Sequence, residues 1–171
     1  AVLSIIIPAN NEEDFLGRCL GSLLACDSPA CPIEIVVVAN GCTDDTAEVA
    51  RGFVDRVQAR GWRMQVLDLA QGGKMRALNA GDAAAYWPWR AYLDADVTLS
   101  QGLLKQLCLT LDGPKPRYAS GRLRITAQGF VSRAYAATYR RVPFMEQGVQ
   151  GCGLFAVNAA GRARWGQFPD I

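Results

Sequence analysis

Two aspartates and one lysine are the side chains of this sequence best suited to chemistry. Asp94 and Asp96 follow the apolar strand pattern Trp89–Leu93, and because alternate residues of an extended segment project to the same side, both carboxylates can face one point. Mg²⁺ and Mn²⁺ accept such oxygen ligands and typically bridge a few carboxylates to substrate phosphates. Lys74 follows a glycine pair at the predicted start of a helix, where it can contact the same phosphates. The pattern predicts a site for a metal-bound diphosphate.

An Asp-x-Asp pair has little meaning by itself, because 11 aspartates among 171 residues produce about one such pair by chance. Its position gives it weight, since carboxylates at the carboxyl end of a strand lie where open α/β sheets bind their ligands. The alternative is a solvated strand end that holds no ligand.

The sequence contains no histidine, which excludes a Ser-His-Asp or Cys-His nucleophilic centre and any histidine-ligated metal within these residues. Six cysteines are scattered without a C-x-x-C or a zinc spacing. This usage predicts reduced thiols, and hence a cytoplasmic protein. Such a protein is either dissolved in the cytoplasm or located at the cytoplasmic face of a membrane. Disulfides are the alternative, with Cys26 and Cys31 as the first pair to compare.

The net charge of +2 conceals an uneven distribution. Residues 1–114 carry nine basic and fourteen acidic side chains, whereas residues 115–171 carry nine basic and two acidic ones, so the charges are −5 and +7. The basic part indicates an anionic substrate or a membrane surface, or it complements the acidic part. The arginines form no basic block with interleaved aromatics, which argues against nucleic acid. No run of about 18 apolar residues predicts a membrane span.

Apolar periodicity predicts strands that alternate with helices. The predicted strands are residues 3–7, 33–39, 64–69, 90–93, 118–125 and 153–157, and the predicted helices are residues 12–24, 43–60 with their caps, 74–85, 103–111 and 132–141. Such alternation predicts an α/β fold with a mostly parallel sheet and helices on both faces. The loop at residues 113–116 is a weak internal boundary.

Polar residues follow each of the first four predicted strands. Taken singly, residues 10–12 are more often helix caps, and Gly41 and Gly73 are more often turn formers. Because the carboxyl ends of parallel strands meet at one edge of a sheet, we expect a single crevice there. It would hold a nucleotide, with the base near the first two strands and the diphosphate over Lys74, Asp94 and Asp96.

The chain resembles the nucleotide-sugar-binding half of family 2 glycosyltransferases of the GT-A fold, a Rossmann-like fold, in four ordered segments: SIIIPANNEE, EIVVVANGCTDDT, GGKMRALNAG and LDADV. The resemblance implies a nucleotide-sugar donor, a UDP-sugar in particular, and Mg²⁺ or Mn²⁺ held by Asp96 with help from Asp94. It also implies that Lys74 lies near the phosphates. The predicted nucleotide site comprises Pro8, Ala9, Asn11, Glu12, Asn40, Lys74 and Asp94.

The ending GCGLFAVNAAGRARWGQFPDI resembles the acceptor-side segment of the same family. This implies that Gly151, Cys152 and Gly153 lie near the sugar to be transferred. The resemblance divides one GT-A domain into a donor part, residues 1–114, and the start of an acceptor part, residues 115–171. We expect the domain to continue beyond Ile171.

Two departures from the family pattern matter. The second strand in this family usually ends in one or two aspartates, and this chain has Ala39 and Asn40 there, which leaves the identity of the base open. Inverting members carry a catalytic carboxylate a few residues after a segment like residues 168–171. The catalytic base is therefore expected beyond Ile171, and Asp170 is the alternative.

The resemblance implies metal-dependent, inverting transfer of a sugar to the hydroxyl of an acceptor, either anionic or lipid-linked. A non-catalytic nucleotide-sugar-binding module is the alternative, because no general base can be named within these residues. A nicotinamide-dependent oxidoreductase is excluded by the absence of G-x-G-x-x-G after the first strand. Gly73 and Lys74 form no Walker A sequence, since Met75 stands where Ser or Thr is required.

Overall fold

The computed structural model describes residues 2–122 and 153–169. The strands in these ranges are β1 (Leu3–Ala9), β2 (Ile33–Asn40), β3 (Arg63–Leu69), β4 (Trp89–Leu93), β5 (Tyr118–Ser120) and β6 (Leu154–Val157). The helices are α1 (Glu13–Ala25), α2 (Thr46–Arg51), α3 (Val54–Ala59), α4 (Lys74–Ala84), α5 (Leu103–Leu111) and α6 (Ala159–Arg162).

The described strands form one sheet in the order β3-β2-β1-β4-β6-β5. The first four strands are parallel, and β6 runs antiparallel to both β4 and β5. The chain moves outward from β1 to β2 and β3, then returns to the other side of β1 with β4. This reversal of strand order opens a crevice at the carboxyl ends of β1 and β4, where such sheets bind ligands.

Predominantly apolar, β-branched sequence explains why β1 and β2 occupy the centre. All eight residues of β2 are buried, as are six of the seven residues of β1, which is the pattern of a parallel strand covered on both faces. Residues from α1, α5 and the short α2 and α3 pack on one face, and α4 packs on the other. The predicted mostly parallel sheet with helices on both faces is therefore confirmed.

Close packing of α4 depends on a glycine. A Cβ atom at Gly81 would lie 2.5 Å from Cγ2 of Ile6 and 3.1 Å from Cγ2 of Val38. The absence of a side chain lets α4 lie directly on β1 and β2. This contact, together with the buried Ala77 and Leu78, holds α4 and its first residue Lys74 in position over the sheet.

The prediction of a single helix at residues 43–60 was wrong. The segment forms α2 and α3, which are separated at Gly52 and Phe53, because glycine is a poor helix former and here ends α2. The predicted strand at residues 118–125 is described only as far as residue 122, and its regular part ends at Ser120. The predicted helix at residues 132–141 lies outside the described residues.

The described cysteines are free thiols, and the two that lie in contact are not the pair that the sequence put first for the disulfide alternative. The Sγ atoms of Cys31 and Cys108 lie 2.7 Å apart and both are free thiols, whereas the Cys26 thiol donates to the carbonyl of Ser22 at 3.3 Å. The pair to compare first is thus Cys31 with Cys108, because α5 packs beside the loop that precedes β2.

In the described ranges, 2–122 and 153–169, no helix has the length and apolar character that crossing a bilayer requires.

Candidate functional site

Residues from all four parallel strand ends line one cavity at the crevice between β1 and β4. Its volume is about 490 Å³, and it is lined by Pro8, Asn10, Glu12, Asn40, Gly72, Gly73, Lys74, Asp94, Ala95 and Asp96. The structure thus brings together six residues of the predicted nucleotide and metal site, namely Pro8, Glu12, Asn40, Lys74, Asp94 and Asp96. Ala9 is buried, and neither Ala9 nor Asn11 is among the residues that line the cavity.

Lys74 and Asp94 form an ion pair in the mouth of the cavity. The Nζ atom of Lys74 lies 2.7 Å from Oδ1 of Asp94, and the two side chains are 57% and 37% exposed. Lys74 begins α4 directly after Gly73, whose φ of 141° is a conformation that favours glycine. The first N–H groups of α4 have no partner within the helix, so its N-terminus presents both the lysine and backbone donors to an anion.

Asp96 is exposed and separated from Asp94 by the buried Ala95. Among residues 2–122 and 153–169, no group of three or more His, Cys, Asp or Glu side chains is arranged to hold a metal ion. Mg²⁺ and Mn²⁺ do not need such a group, because these ions commonly take one or two carboxylates and complete their coordination with phosphates and water. Asp94 and Asp96 fit that requirement. The negative charge of Asp94 is balanced in this structure by Lys74.

Glu12 connects the cavity to the start of α1. Its backbone N–H donates to Oγ1 of Thr46 at 2.8 Å. Burial, followed by the negative charges of Asp96, Asp44 and Asp94, raises the pKa of the Glu12 carboxyl. The mutual influence of these carboxylates indicates a locally negative part of the cavity lining, which favours a cation between it and a bound anion.

The Asn40 side chain is used entirely for internal hydrogen bonds. It is 3% exposed, and its Nδ2 donates to the carbonyls of Ala9 at 2.9 Å and Val38 at 3.2 Å. Its Oδ1 accepts from the N–H of Gly73 at 3.0 Å. The amide therefore ties the ends of β1 and β2 to the glycine loop in front of Lys74.

Asn10 and Asn11 connect the end of β1 to the residues at and after the end of β2. Nδ2 of Asn10 donates to the carbonyl of Asn40 at 2.6 Å. Asn11 has a φ of 53°, a left-handed conformation that asparagine tolerates, and its Oδ1 accepts from the N–H of Thr43 at 2.8 Å. Asn10 was not among the predicted site residues, although an Asn-Asn pair directly after a buried strand is a usable signal.

A buried thiol lies beneath the site without taking part in it. The Sγ of Cys19 points to the carbonyl of Asp94 at 3.8 Å. Burial and the nearby Asp96 and Asp94 raise its pKa to about 12. Cys19 is therefore protonated at neutral pH and is not a nucleophile.

The acceptor-side prediction is described only in part. Gly153 has a φ of 77°, and its carbonyl accepts from the N–H of Asp94 at 2.9 Å, so the start of β6 lies beside the aspartate pair. Gly151, Cys152 and Asp170 lie outside the described residues.

A second cavity of about 690 Å³ opens over the β5–β6 side of the sheet, and it is lined by Tyr118, Phe155, Trp165, Gly166, Gln167, Phe168 and Pro169.

Two relatives illustrate what the sequence is similar to. The 4,4'-diaponeurosporenoate glycosyltransferase of Staphylococcus aureus (strain bovine RF122 / ET3-1) is 38% identical over 99 residues, which are 56% of this chain and 24% of that protein. An uncharacterized glycosyltransferase of Bacillus subtilis (strain 168), EpsJ, is 32% identical over 106 residues, 62% of this chain and 29% of that protein. The match thus spans about a quarter of the length of these relatives.

Solved structures share the fold. The mannosyltransferase PcManGT from Pyrobaculum calidifontis, solved in complex with GDP-Man and Mn²⁺, has a TM-score of 0.74 and 22% identity, covering 98% of this chain and 47% of that chain. S. aureus TarS 1-349 in complex with UDP has a TM-score of 0.57 and 23% identity, covering 65% of this chain and 32% of that one. These likenesses confirm the predicted GT-A fold.

The family model of glycosyl transferase family 2 matches residues 4–163, which include every described strand end around the cavity. The match agrees with the resemblance in the sequence and with the fold of the structural neighbours. The chain belongs to glycosyl transferase family 2.

Proposed function

We propose that the protein transfers a sugar from a nucleoside diphosphate donor to an acceptor hydroxyl, in a metal-dependent reaction that inverts the anomeric centre. The observation that carries this proposal is the meeting of Lys74, Asp94 and Asp96 in one cavity at the point where the strand order reverses. Sheets of this kind bind nucleotides there. A lysine at a helix start beside two carboxylates is suited to a diphosphate with a divalent cation.

The donor would lie along the crevice with its nucleoside at the ends of β1 and β2. Pro8 and Glu12 line that part of the cavity, and we propose that Ala9 and Asn11, their neighbours in the chain, border the nucleoside. We propose that Asn40 acts on the nucleotide indirectly, because its amide is committed to Ala9, Val38 and Gly73. Its role is then to hold the glycine loop in the conformation that presents Lys74.

We propose that the donor is a UDP-sugar, and the affinity for GDP is the one to compare with that for UDP. TarS was solved with UDP and PcManGT with GDP-Man and Mn²⁺, so both nucleotides occur among proteins of this fold. Asp96, with help from Asp94, would hold Mg²⁺ or Mn²⁺. When bound, the ion would neutralise charge that develops on the diphosphate.

The reaction would be a single displacement at the anomeric carbon. A bond forms from the acceptor oxygen to that carbon as the bond to the diphosphate oxygen breaks, and the acceptor proton passes to a carboxylate base. Lys74 and the free N–H groups of α4 stabilise the negative charge on the departing diphosphate. The base is expected beyond Ile171, with Asp170 as the alternative, and Gly151, Cys152 and Gly153 are proposed to border the transferred sugar.

The acceptor is proposed to be anionic or lipid-linked and to approach from the side of residues 115–171. Two observations support this direction, the charge of +7 in that part of the sequence and the aromatic cavity beside β6. We also propose that the donor part, residues 1–114, and the acceptor part work within one domain, since β6 is hydrogen-bonded to β4. A cytoplasmic location, free or at the membrane face, is proposed from the free thiols of the described cysteines.

Calorimetric titration of the Asp96→Ala variant with UDP and GDP, with and without Mn²⁺, tests the proposal. Asp96 is exposed, so its loss should change the free energy of unfolding by no more than about 0.5 kcal/mol, while the metal-dependent part of nucleotide affinity disappears. Asp55→Ala, an exposed aspartate on α3, is the matched control. Unchanged metal-dependent affinity in Asp96→Ala would refute the metal assignment, and nucleotide binding without sugar transfer by the full-length protein would favour a binding module.

A further inference from the structure

Asn79, in the middle of α4, holds the backbone of Phe168 with two hydrogen bonds. Its Nδ2 donates to the carbonyl of Phe168 at 2.9 Å, and its Oδ1 accepts from the N–H of the same residue at 2.8 Å. The side-chain amide thus satisfies both polar groups of one peptide residue, as a neighbouring strand would. The two residues are 89 positions apart in the sequence, so the contact exists only in the folded protein.

A second anchor lies one helical turn further along α4. Asp82, three residues after Asn79 and therefore on the same side of the helix, accepts hydrogen bonds from Arg162, from Arg90 at 2.9 Å and from the hydroxyl of Tyr92 at 2.8 Å. Burial alone would raise the pKa of Asp82, but the hydrogen bonds from Arg162 and Tyr92 outweigh burial and lower it. The segment from Arg162 to Phe168 is thereby fastened to α4 at both ends.

The same helix begins with Lys74. Asn79 follows Lys74 by five residues, which corresponds to about 7.5 Å along a helix axis. Between them α4 is continuous and lies against the sheet through Ala77 and Leu78, which are buried. A displacement of the segment at Phe168 relative to Lys74 would therefore require either a break in α4 or the loss of the Asn79 contacts.

Helix stability does not explain an asparagine at this position. Asparagine is a poorer helix former than alanine or leucine by a few tenths of a kcal/mol, and Asn79 is only half-buried. Its paired hydrogen bonds to Phe168 are what the residue contributes. The held segment is also part of the wall of the aromatic cavity, through Trp165 and Phe168.

We propose that Asn79 is a positioning residue that fixes the acceptor-side segment, residues 165–169, relative to the diphosphate contact at Lys74. The proposal rests on the function proposed above, in which this segment leads to the catalytic carboxylate. Asn79 itself lies outside the nucleotide cavity and does not line it. Its loss should leave donor binding intact and lower the rate of the chemical step, because a misplacement of about 1 Å can cost roughly 100-fold in rate.

The test compares two variants of the full-length protein. Asn79→Leu removes both hydrogen bonds but keeps a side chain of similar size and a better helix former, so α4 should stay intact. Ala83→Gly, at an exposed position of α4, weakens the helix by about 1 kcal/mol without touching the segment. Release of UDP from UDP-GlcNAc and of GDP from GDP-mannose with Mn²⁺ gives kcat and KM, and hydrogen exchange reports on the amide of Phe168.

For Asn79→Leu we expect faster exchange at Phe168, an unchanged KM and a kcat lowered about 10- to 100-fold, whereas Ala83→Gly should keep the wild-type kcat. An unchanged kcat in Asn79→Leu, or an equal loss of kcat in Ala83→Gly, would overturn the positioning role while the proposed function stands. Absence of turnover in the wild-type protein would instead overturn the proposed function, and the positioning role with it.

Discussion

Replacement of Lys74 by alanine separates a role in phosphate binding from a role in folding. Lys74 forms an ion pair with Asp94 at 2.7 Å, and both side chains are more than a third exposed. Exposed ion pairs of this kind contribute about 0–1 kcal/mol to stability. The free energy of unfolding of Lys74→Ala should therefore decrease by less than about 1 kcal/mol.

The loss in diphosphate affinity should be larger. A hydrogen bond to a charged group contributes about 1.5–3 kcal/mol, which corresponds to an increase of about 10- to 150-fold in Kd. The N–H groups at the start of α4 remain in the variant, so binding should be weakened and not abolished. A nucleoside without phosphates has no group for the lysine to contact, and its affinity should stay unchanged.

Calorimetric titrations with UDP and uridine, together with urea unfolding, measure these quantities. Lys105→Ala, at an exposed position of α5, removes a positive charge that does not line the cavity and serves as the matched control. The reasoning would be refuted by equal losses of affinity for UDP and uridine, or by a loss of UDP affinity in Lys105→Ala as large as in Lys74→Ala. Either result would mean that Lys74 acts through the fold or through net charge.

Three further variants test other parts of the structure. Asn40→Ala should lower the free energy of unfolding by about 1–3 kcal/mol, because buried backbone groups lose their partner, and it should weaken UDP binding; unchanged binding would contradict the role of Asn40 in holding the loop. Gly81→Ala should destabilise by about 1–3 kcal/mol in urea unfolding, because the new methyl group would collide with Ile6, and wild-type stability would mean that α4 can shift. Asp82→Asn should be less stable than wild type at pH 7, and the difference should narrow as the pH falls below about 4, the ordinary pKa of aspartate, because a carboxyl with a lowered pKa loses its stabilising effect as it becomes protonated. A difference that stays constant between pH 7 and pH 3 would show that the charge of Asp82 is not what matters.

The sequence alone determined the fold class and the edge of the sheet where the site lies. The apolar runs in β1 and β2 are short, rich in β-branched residues and without polar alternation, which is the pattern of strands covered on both faces. Strands that alternate with helices favour parallel pairing, as β1 to β4 show, and the carboxyl ends of these four strands then meet, which places Glu12, Lys74 and Asp94 together. Local sequence was enough to predict this much, because the apolar pattern of a short segment indicates whether it is a buried strand or a helix. The order of strands and helices along the chain then limits how the sheet can be arranged.

Only the tertiary structure decided which polar atoms pair. The pattern could not reveal that the Asn40 amide is spent on Ala9 and Gly73, that Asn79 binds the backbone of Phe168, or that Cys31 lies beside Cys108. Hydrogen bonds and thiol contacts have a range of about 3–4 Å, and whether two side chains come that close depends on how helices settle on the sheet. That settling is fixed by side-chain packing between distant segments, as at Gly81 against β1, and no periodicity in the sequence encodes it.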